Sequence, residues 1–219
     1  MNLPPQFPRT ALSDPFRETR IPLSFEIEIK LRLPDKLEKM RRLLRESGFR
    51  VSKGRILESN ILFDNSKLAL RKHGKLIRLR RVGPHRLLTY KGPSEQSRYK
   101  KRREIEIDFM DGEHLDEIFL HMGYRPVFRY EKYRTEYEMQ RLDGKVLLDE
   151  TPIGNFLEIE GSPRWIDRTA RVLGFSTTDY ITRSYVYLYL AYCRERRLPP
   201  KDMLFADKRL KRARQDQRS

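Results

Sequence analysis

Residues Phe25-Glu26-Ile27-Glu28-Ile29-Lys30-Leu31 alternate strictly between a bulky apolar side chain and a charged one. An extended strand sorts such a pattern into two faces, because successive side chains point to opposite sides. One face is then apolar, and the other carries two carboxylates and an ammonium group. The same Glu-x-Glu spacing recurs at Glu104 and Glu106, Glu136 and Glu138, and Glu158 and Glu160. Parity extends it: Arg78 and Arg80 share a face, as do Arg102, Glu104, Glu106 and Asp108, and as do Lys132, Arg134, Glu136 and Glu138. Ile77 and Leu79, Ile105 and Ile107, and Tyr133 and Tyr137 fall on the opposite sides.

For a single strand the simplest reading is an antiparallel sheet with its charged face in water. Taken together, the strands allow another: a sheet that curls and closes would line a lumen with these groups. Acids and bases withdrawn from water need each other, or a divalent cation together with a polyanion, to offset desolvation. Carboxylates suit Mg²⁺ or Mn²⁺, and lysine and arginine suit phosphate oxygens.

The 219-residue chain is 38% hydrophobic, enough for one domain with a substantial core. Lysine and arginine outnumber aspartate and glutamate by 47 to 31, a net +16 that favours polyanionic partners: nucleic acid, anionic lipid or a small polyphosphate. Cys193 is the single cysteine, so no intrachain disulfide can form. The sequence carries no secretory-type apolar leader and no apolar run of the ~18 residues a membrane helix needs, so a cytoplasmic protein with no membrane partner is expected.

Residues 1–22 contain Pro4, Pro5, Pro8, Pro15 and Pro22, and read as a disordered Pro-rich arm. A folded domain is expected over 23–195. After the first strand, Leu37, Met40, Leu43 and Leu44 have helical spacing, closed by Gly48. Strands follow over 57–64, 75–82, 86–91 and 100–109, punctuated by Gly74, Gly83-Pro84 and Gly92-Pro93. Asp111-Gly112 opens a second helix, three more strands are expected over 127–139, 145–149 and 155–161, and helices run from Pro163 to about Arg197. Residues 196–219 read as a basic, disordered tail, the one part through which nucleic acid could bind.

Glu26-Ile27-Glu28-Ile29-Lys30 resembles the ExExK signature of the CYTH superfamily, the triphosphate tunnel metalloenzymes. The resemblance continues in order through 76–80, Leu88-Thr89-Tyr90-Lys91-Gly92-Pro93, 103–106, Lys132-Tyr133-Arg134, Leu148-Asp149-Glu150, 156–160 and Ser184-Tyr185, and is closest to the class IV adenylyl cyclase branch. It implies an α+β fold: a closed eight-stranded antiparallel β-barrel, or tunnel, with a charged lumen and helices packed outside. It implies that Glu26, Glu28, Glu158, Glu160 and Asp149 bind Mg²⁺ or Mn²⁺. Lys30, Arg78, Arg80, Lys91, Lys132, Arg134 and Arg183 would bind substrate phosphates. Asp149, Lys30 and Arg134 would stand nearest the reaction, with Glu104 and Glu106 in the tunnel wall. The expected substrate is a triphosphate such as ATP, tripolyphosphate or thiamine triphosphate, in a monomer or homodimer. Triphosphate hydrolysis is the simplest activity. The alternatives are conversion of ATP to cyclic AMP and pyrophosphate, and a non-catalytic polyphosphate or RNA binding module.

His73, His85, His114 and His121 lack metal-ligand spacing, and no Gly-rich phosphate loop is present. Tyr185, Leu188, Tyr189 and Tyr192 have the spacing of a packing stripe.

Overall fold

The structure is a computed structural model that describes residues 25–34, 36–95, 97–109, 114–140 and 144–206. The expected N-terminal arm, the Asp111-Gly112 helix start and residues 207–219 of the expected tail lie outside the described residues.

The elements run β1 (Phe25–Leu33), α1 (Glu38–Glu46), β2 (Arg50–Asn65), α2 (Ala69–Lys72), β3 (Leu76–Val82), β4 (His85–Lys91) and β5 (Lys100–Phe109). They continue with α3 (Leu115–His121), β6 (Tyr124–Glu138), β7 (Gly144–Thr151), β8 (Gly154–Gly161), α4 (Pro163–Val172) and α5 (Tyr185–Glu195). The strands close into a barrel in the order β1-β5-β4-β3-β2-β6-β7-β8. The pairings around it are antiparallel, and β1 makes the seam, bonded to β5 on one side and β8 on the other.

Apolar burial on the outside drives the charged faces inward. Ile29, Leu31, Val146, Leu148, Leu157 and Ile159, on the outer faces of β1, β7 and β8, are fully buried. Leu37, Met40, Leu43 and Leu44 of the α1 segment and Ile166, Ala170 and Leu173 of the α4 segment cover them. Ser162 caps α4, its hydroxyl accepting the Trp165 N–H at 3.3 Å with Pro163 in the first turn. With period-two alternation, burying Ile27, Ile29 and Leu31 under helices leaves Glu26, Glu28 and Lys30 only the lumen.

Two elements differ from expectation. β2 starts at Arg50 rather than Leu57, because a polar arm with register shifts between Val51 and Ile56 pairs along β6. Its few apolar side chains hide it from a periodicity reading. The short α2 is set by the side chains before it. Asp64 accepts the Leu70 and Arg71 N–H groups at 3.0 and 2.9 Å, and Asn65 accepts that of Ala69 at 3.0 Å.

Residues 196–206 correct the expected boundary of the tail. Met203 is buried and lies alongside β6, its N–H donating to Arg129 O at 2.9 Å and its carbonyl accepting from Glu131 N at 3.0 Å. Composition suggested a solvated end, but β7 stops at Thr151 and leaves the first half of β6 without a neighbour on that side. An unpaired strand edge takes up any segment that can bond to it.

Ile159→Ala removes a fully buried side chain beneath α4, and should cost about 2–5 kcal/mol in chemical denaturation. An unchanged midpoint would contradict the assignment of this outer face as the principal core.

Candidate functional site in the barrel lumen

The lumen is a cavity of about 1320 Å³. Phe25, His85, Asp108 and Glu138 stand at one end, Tyr130 and Tyr185 at the other. Along β1 the order from mouth to floor is Glu26, Glu28, Lys30.

Near the mouth, Glu26, Glu28 and Glu160 converge, with one oxygen of each lying within 4.8 Å of the others. Glu28 sits directly opposite Glu160 in the β1–β8 ladder, a like-charge pairing that is unfavourable without an intervening cation. Lys91 meets Glu26 at 2.7 Å and Arg102 meets it at 3.3 Å; Lys145 meets Glu160 at 3.2 Å. Lys30 bonds Glu28 at 3.0 Å, and Lys100 bonds the same oxygen.

Deeper, the carboxylates are gripped by bases. Glu158 pairs with Lys30 at 3.0 Å and with Arg134. Asp149, wholly buried, accepts Arg134 through Nε at 2.7 Å and Nη2 at 2.6 Å, Lys132 at 2.9 Å and the Tyr185 hydroxyl at 2.7 Å. Along the opposite wall Lys91 and Arg78 reach Glu104, at 2.9 and 3.8 Å. Glu106 takes Arg80 at 2.9 Å, Arg78 at 3.4 Å and the Thr89 hydroxyl at 2.7 Å.

The lumen therefore gathers Lys30, Arg78, Arg80, Lys91, Lys132 and Arg134 with Glu26, Glu28, Glu104, Glu106, Glu158 and Glu160. Asp149 joins them through its bonds to Lys132 and Arg134, while Glu158 stands apart from the three-carboxylate cluster. Arg183 is placed elsewhere: it is exposed, with its guanidinium 4.8 Å from the Tyr187 ring centre. Glu136 and Glu138, given no role from sequence, stand at the rim, where Lys53 meets Glu136 at 3.2 Å.

Lys100, Lys145, Glu58 and Tyr185 line the lumen without a site role in the sequence reading, and Arg102 was placed on a charged strand face without one. Lys100 extends the parity of Arg102, Glu104 and Glu106 by one position and is legible by the same signal. Glu58 is buried against Arg80 at 3.2 Å and Lys132 at 3.5 Å, but it stands alone between apolar and uncharged polar neighbours, with no Glu-x-Glu partner to mark it.

These contacts set the ionisation. Burial opposes the charge on Glu26, and Glu28 adds to it, but Lys91, Arg102 and Lys100 prevail and hold its pKa at about 2. Burial opposes the charges on Glu28 and Glu158 too, and their ammonium and guanidinium partners keep both well below the usual carboxylate range. Glu160 goes the other way: burial, with Glu26, Glu158 and Glu28 close by, raises it against the pull of Lys145. Lys100 is lowered to about 7, by burial first and then by Lys30, Arg102 and Lys91, against the attraction of Glu28.

A site so built can exchange partners. An entering polyanion offers oxygens to the bases, and the carboxylates they release can take a hard cation. The three-carboxylate cluster is an all-oxygen donor set, which fits Mg²⁺ or Mn²⁺ better than softer metals.

The CYTH domain family matches residues 24–185. A Methanocaldococcus jannaschii protein provisionally named an adenylate cyclase is 31% identical over 148 residues, 68% of this chain and 83% of its own. Among solved structures, a Vibrio parahaemolyticus protein, also provisionally named an adenylate cyclase, superposes with a TM-score of 0.65. It is 22% identical, the match covering 75% of this chain and 97% of that one. A Hippeastrum protein described as an adenylyl cyclase candidate with a dominant triphosphatase activity superposes with a TM-score of 0.56 at 18% identity, the match covering 76% of this chain and 95% of that one. No helix among the described residues is long and apolar enough to cross a membrane.

The depressed carboxyl groups make the metal-free protein acid-labile. Between the unfolded value of 4.5 and the folded value of about 2, Glu26 binds more protons in the unfolded chain than in the folded one. Stability in EDTA should therefore be retained above about pH 4.5 and fall steadily as pH drops toward 2. A melting temperature that stayed flat across that window would contradict the pairing described.

Proposed function

Because the chain belongs to the CYTH domain family, we propose that it is a divalent-metal-dependent enzyme acting on a triphosphate, most simply by hydrolysing the terminal phosphoanhydride. The observation that carries this reading is the convergence of Glu26, Glu28 and Glu160 beside a wall of lysines and arginines in one lumen. A lumen evolved only to hold an anion would gain by losing those carboxylates, which speaks against a non-catalytic polyphosphate or RNA module.

In this reading Arg78, Arg80, Lys91 and Arg102 hold phosphate oxygens along one wall, and Lys30, Lys132 and Arg134 hold them toward the floor. Arginine forks fix the phosphate chain in line with an attacking oxygen, and most of the rate advantage in phosphoryl transfer comes from such positioning and charge neutralisation. Glu26, Glu28 and Glu160 would hold Mg²⁺ or Mn²⁺, with Glu158 next to them once Lys30 and Arg134 turn to the substrate. Bound there, the cation would neutralise charge on the phosphates and lower the pKa of water. Asp149, bonded by Arg134, Lys132 and Tyr185, fixes the orientation of both cations at the floor.

The name of the archaeal relative favours a second reading in the same cavity, attack by the ribose 3′-hydroxyl of ATP on its α-phosphate to give cyclic AMP and pyrophosphate. Phosphate release and cyclic AMP formation, assayed separately with tripolyphosphate, ATP and thiamine triphosphate under Mg²⁺ or Mn²⁺, distinguish the readings. Phosphate release alone is expected; cyclic AMP as the main product would replace hydrolase by cyclase, and no turnover of any triphosphate would end both.

Glu160→Gln should raise the metal concentration for half-maximal rate by about tenfold or more without lowering the melting temperature, since a group already reluctant to ionise loses little as an amide. Unaltered metal dependence would remove Glu160 from the cation site. Arg80→Ala removes a charge-assisted phosphate donor worth about 1.5–3 kcal/mol, so KM for tripolyphosphate should rise about tenfold to hundredfold. An unchanged KM would place Arg80 in the wall only.

A further inference from the structure

The family match ends at residue 185, yet the chain continues into an ordered segment that returns to the barrel. Leu198 N–H bonds Cys193 O at 2.8 Å, which ends α5 and turns the chain back. Asp202 then accepts the Arg129 N–H at 2.8 Å, Met203 pairs along the free edge of β6, and the Phe205 N–H bonds Glu131 Oε2 at 3.2 Å. The Phe205 ring rests on Tyr133, centroids 5.2 Å apart.

Met203, 1% exposed, packs in a cluster with Tyr130, Ile153, Phe156 and Tyr185. Two of those rings reach the cavity, Tyr130 and Tyr185. The Tyr185 hydroxyl donates to Asp149 at 2.7 Å, and its ring lies 5.3 Å from the Lys30 ammonium and 5.2 Å from that of Lys132. Tyr130 and Phe156 pack on the Tyr185 ring, with centroids 6.3 and 5.4 Å away, and Met203 completes the apolar cluster that backs the ring supporting the acid and two of the bases at the floor.

We propose that residues 198–206 form a strap that braces the floor end of the barrel from outside along β6, and that Met203 is a positioning residue, fixing the cluster behind the Tyr185 ring so that its hydroxyl orients Asp149. A thioether fills an irregular gap between aromatic rings well, and a leucine of similar volume can replace it, whereas alanine leaves a space into which Tyr185 can tilt. The effect on rate rests on the triphosphate reading; the structural role of the strap does not.

The test uses the full chain with Met203→Ala, Met203→Leu, Tyr185→Phe and the double variant Met203→Ala/Tyr185→Phe. With tripolyphosphate and Mn²⁺, Met203→Ala should lower kcat about tenfold with KM altered less than about threefold, and Met203→Leu should restore kcat to within about twofold. Residues acting through one group are not additive, so the double variant should be no more than about twofold slower than Tyr185→Phe alone. An unchanged kcat in folded Met203→Ala, losses that multiply in the double variant, or a change in KM alone would overturn the positioning role. Should Met203→Ala fail to fold, Asp202→Ala loosens the strap from Arg129 and must show the same kcat-selective loss, or the proposal fails. Hydrogen exchange gives a readout independent of turnover: the Leu188 amide, bonded to Ser184 O in the first turn of α5, should exchange at least about tenfold faster in Met203→Ala. If the wild-type protein turns over no triphosphate, the proposed activity fails by itself, and unaltered exchange at Leu188 is then what overturns the strap.

Discussion

Mutual neutralisation of buried charges across the lumen is the interaction on which the rest depends. Glu28, Lys30, Glu58, Lys132, Arg134, Asp149 and Glu158 are each less than a tenth exposed. Any one of them buried alone would be costly enough to change its ionisation or unfold the barrel. They persist because each carboxylate has a base beside it, and because the bases are shared: Lys30 bridges Glu28 and Glu158, and Arg134 bridges Asp149 and Glu158. Such a network is compensated but not committed. Ligands that bring the same charges in the same places, a polyanion for the acids and a cation for the bases, can substitute without a change of fold.

The apolar exterior makes that network possible. A flat sheet with these faces would hydrate its charges and gain nothing from pairing them. Helices α1 and α4 cover the outer side of β1, β7 and β8, and closure of β1 on both β5 and β8 encloses the inner side. That seam also brings Glu28 against Glu160, two like charges distant in sequence, and assembles the three-carboxylate cluster. A gradient along the barrel results, with acidic groups concentrated toward the mouth and the tightest acid–base contacts near the floor.

Much of this was legible because period-two alternation is a direct record of which way a strand side chain points. The faces of Glu26 to Lys30, Arg78 and Arg80, and Lys132 and Arg134 could be assigned before any pairing was known, and the resemblance supplied closure. What parity cannot supply is who meets whom. The resemblance grouped Glu158 with Glu26, Glu28 and Glu160 as cation ligands; in the structure Lys30 and Arg134 hold Glu158, and the other three converge. Arg183 lay next to a matching Ser184-Tyr185, yet just before the Ser184 cap of α5 its side chain turns outward onto Tyr187. The strap escaped because its charge suggested solvation, while its fate was decided by two side chains, Met203 and Phe205, and by an edge of β6 that another strand leaves open.

The central claim is that carboxylates and bases in one lumen are the two halves of a metal–polyphosphate site. Crystals grown with Mn²⁺ and inorganic tripolyphosphate test it most directly through the anomalous signal of manganese. The account predicts a peak among Glu26, Glu28 and Glu160, with phosphate density reaching Arg78, Arg80 and Lys91. Manganese bound only outside the barrel, or a lumen whose acid–base pairs persist unbroken beside both ligands, would contradict it.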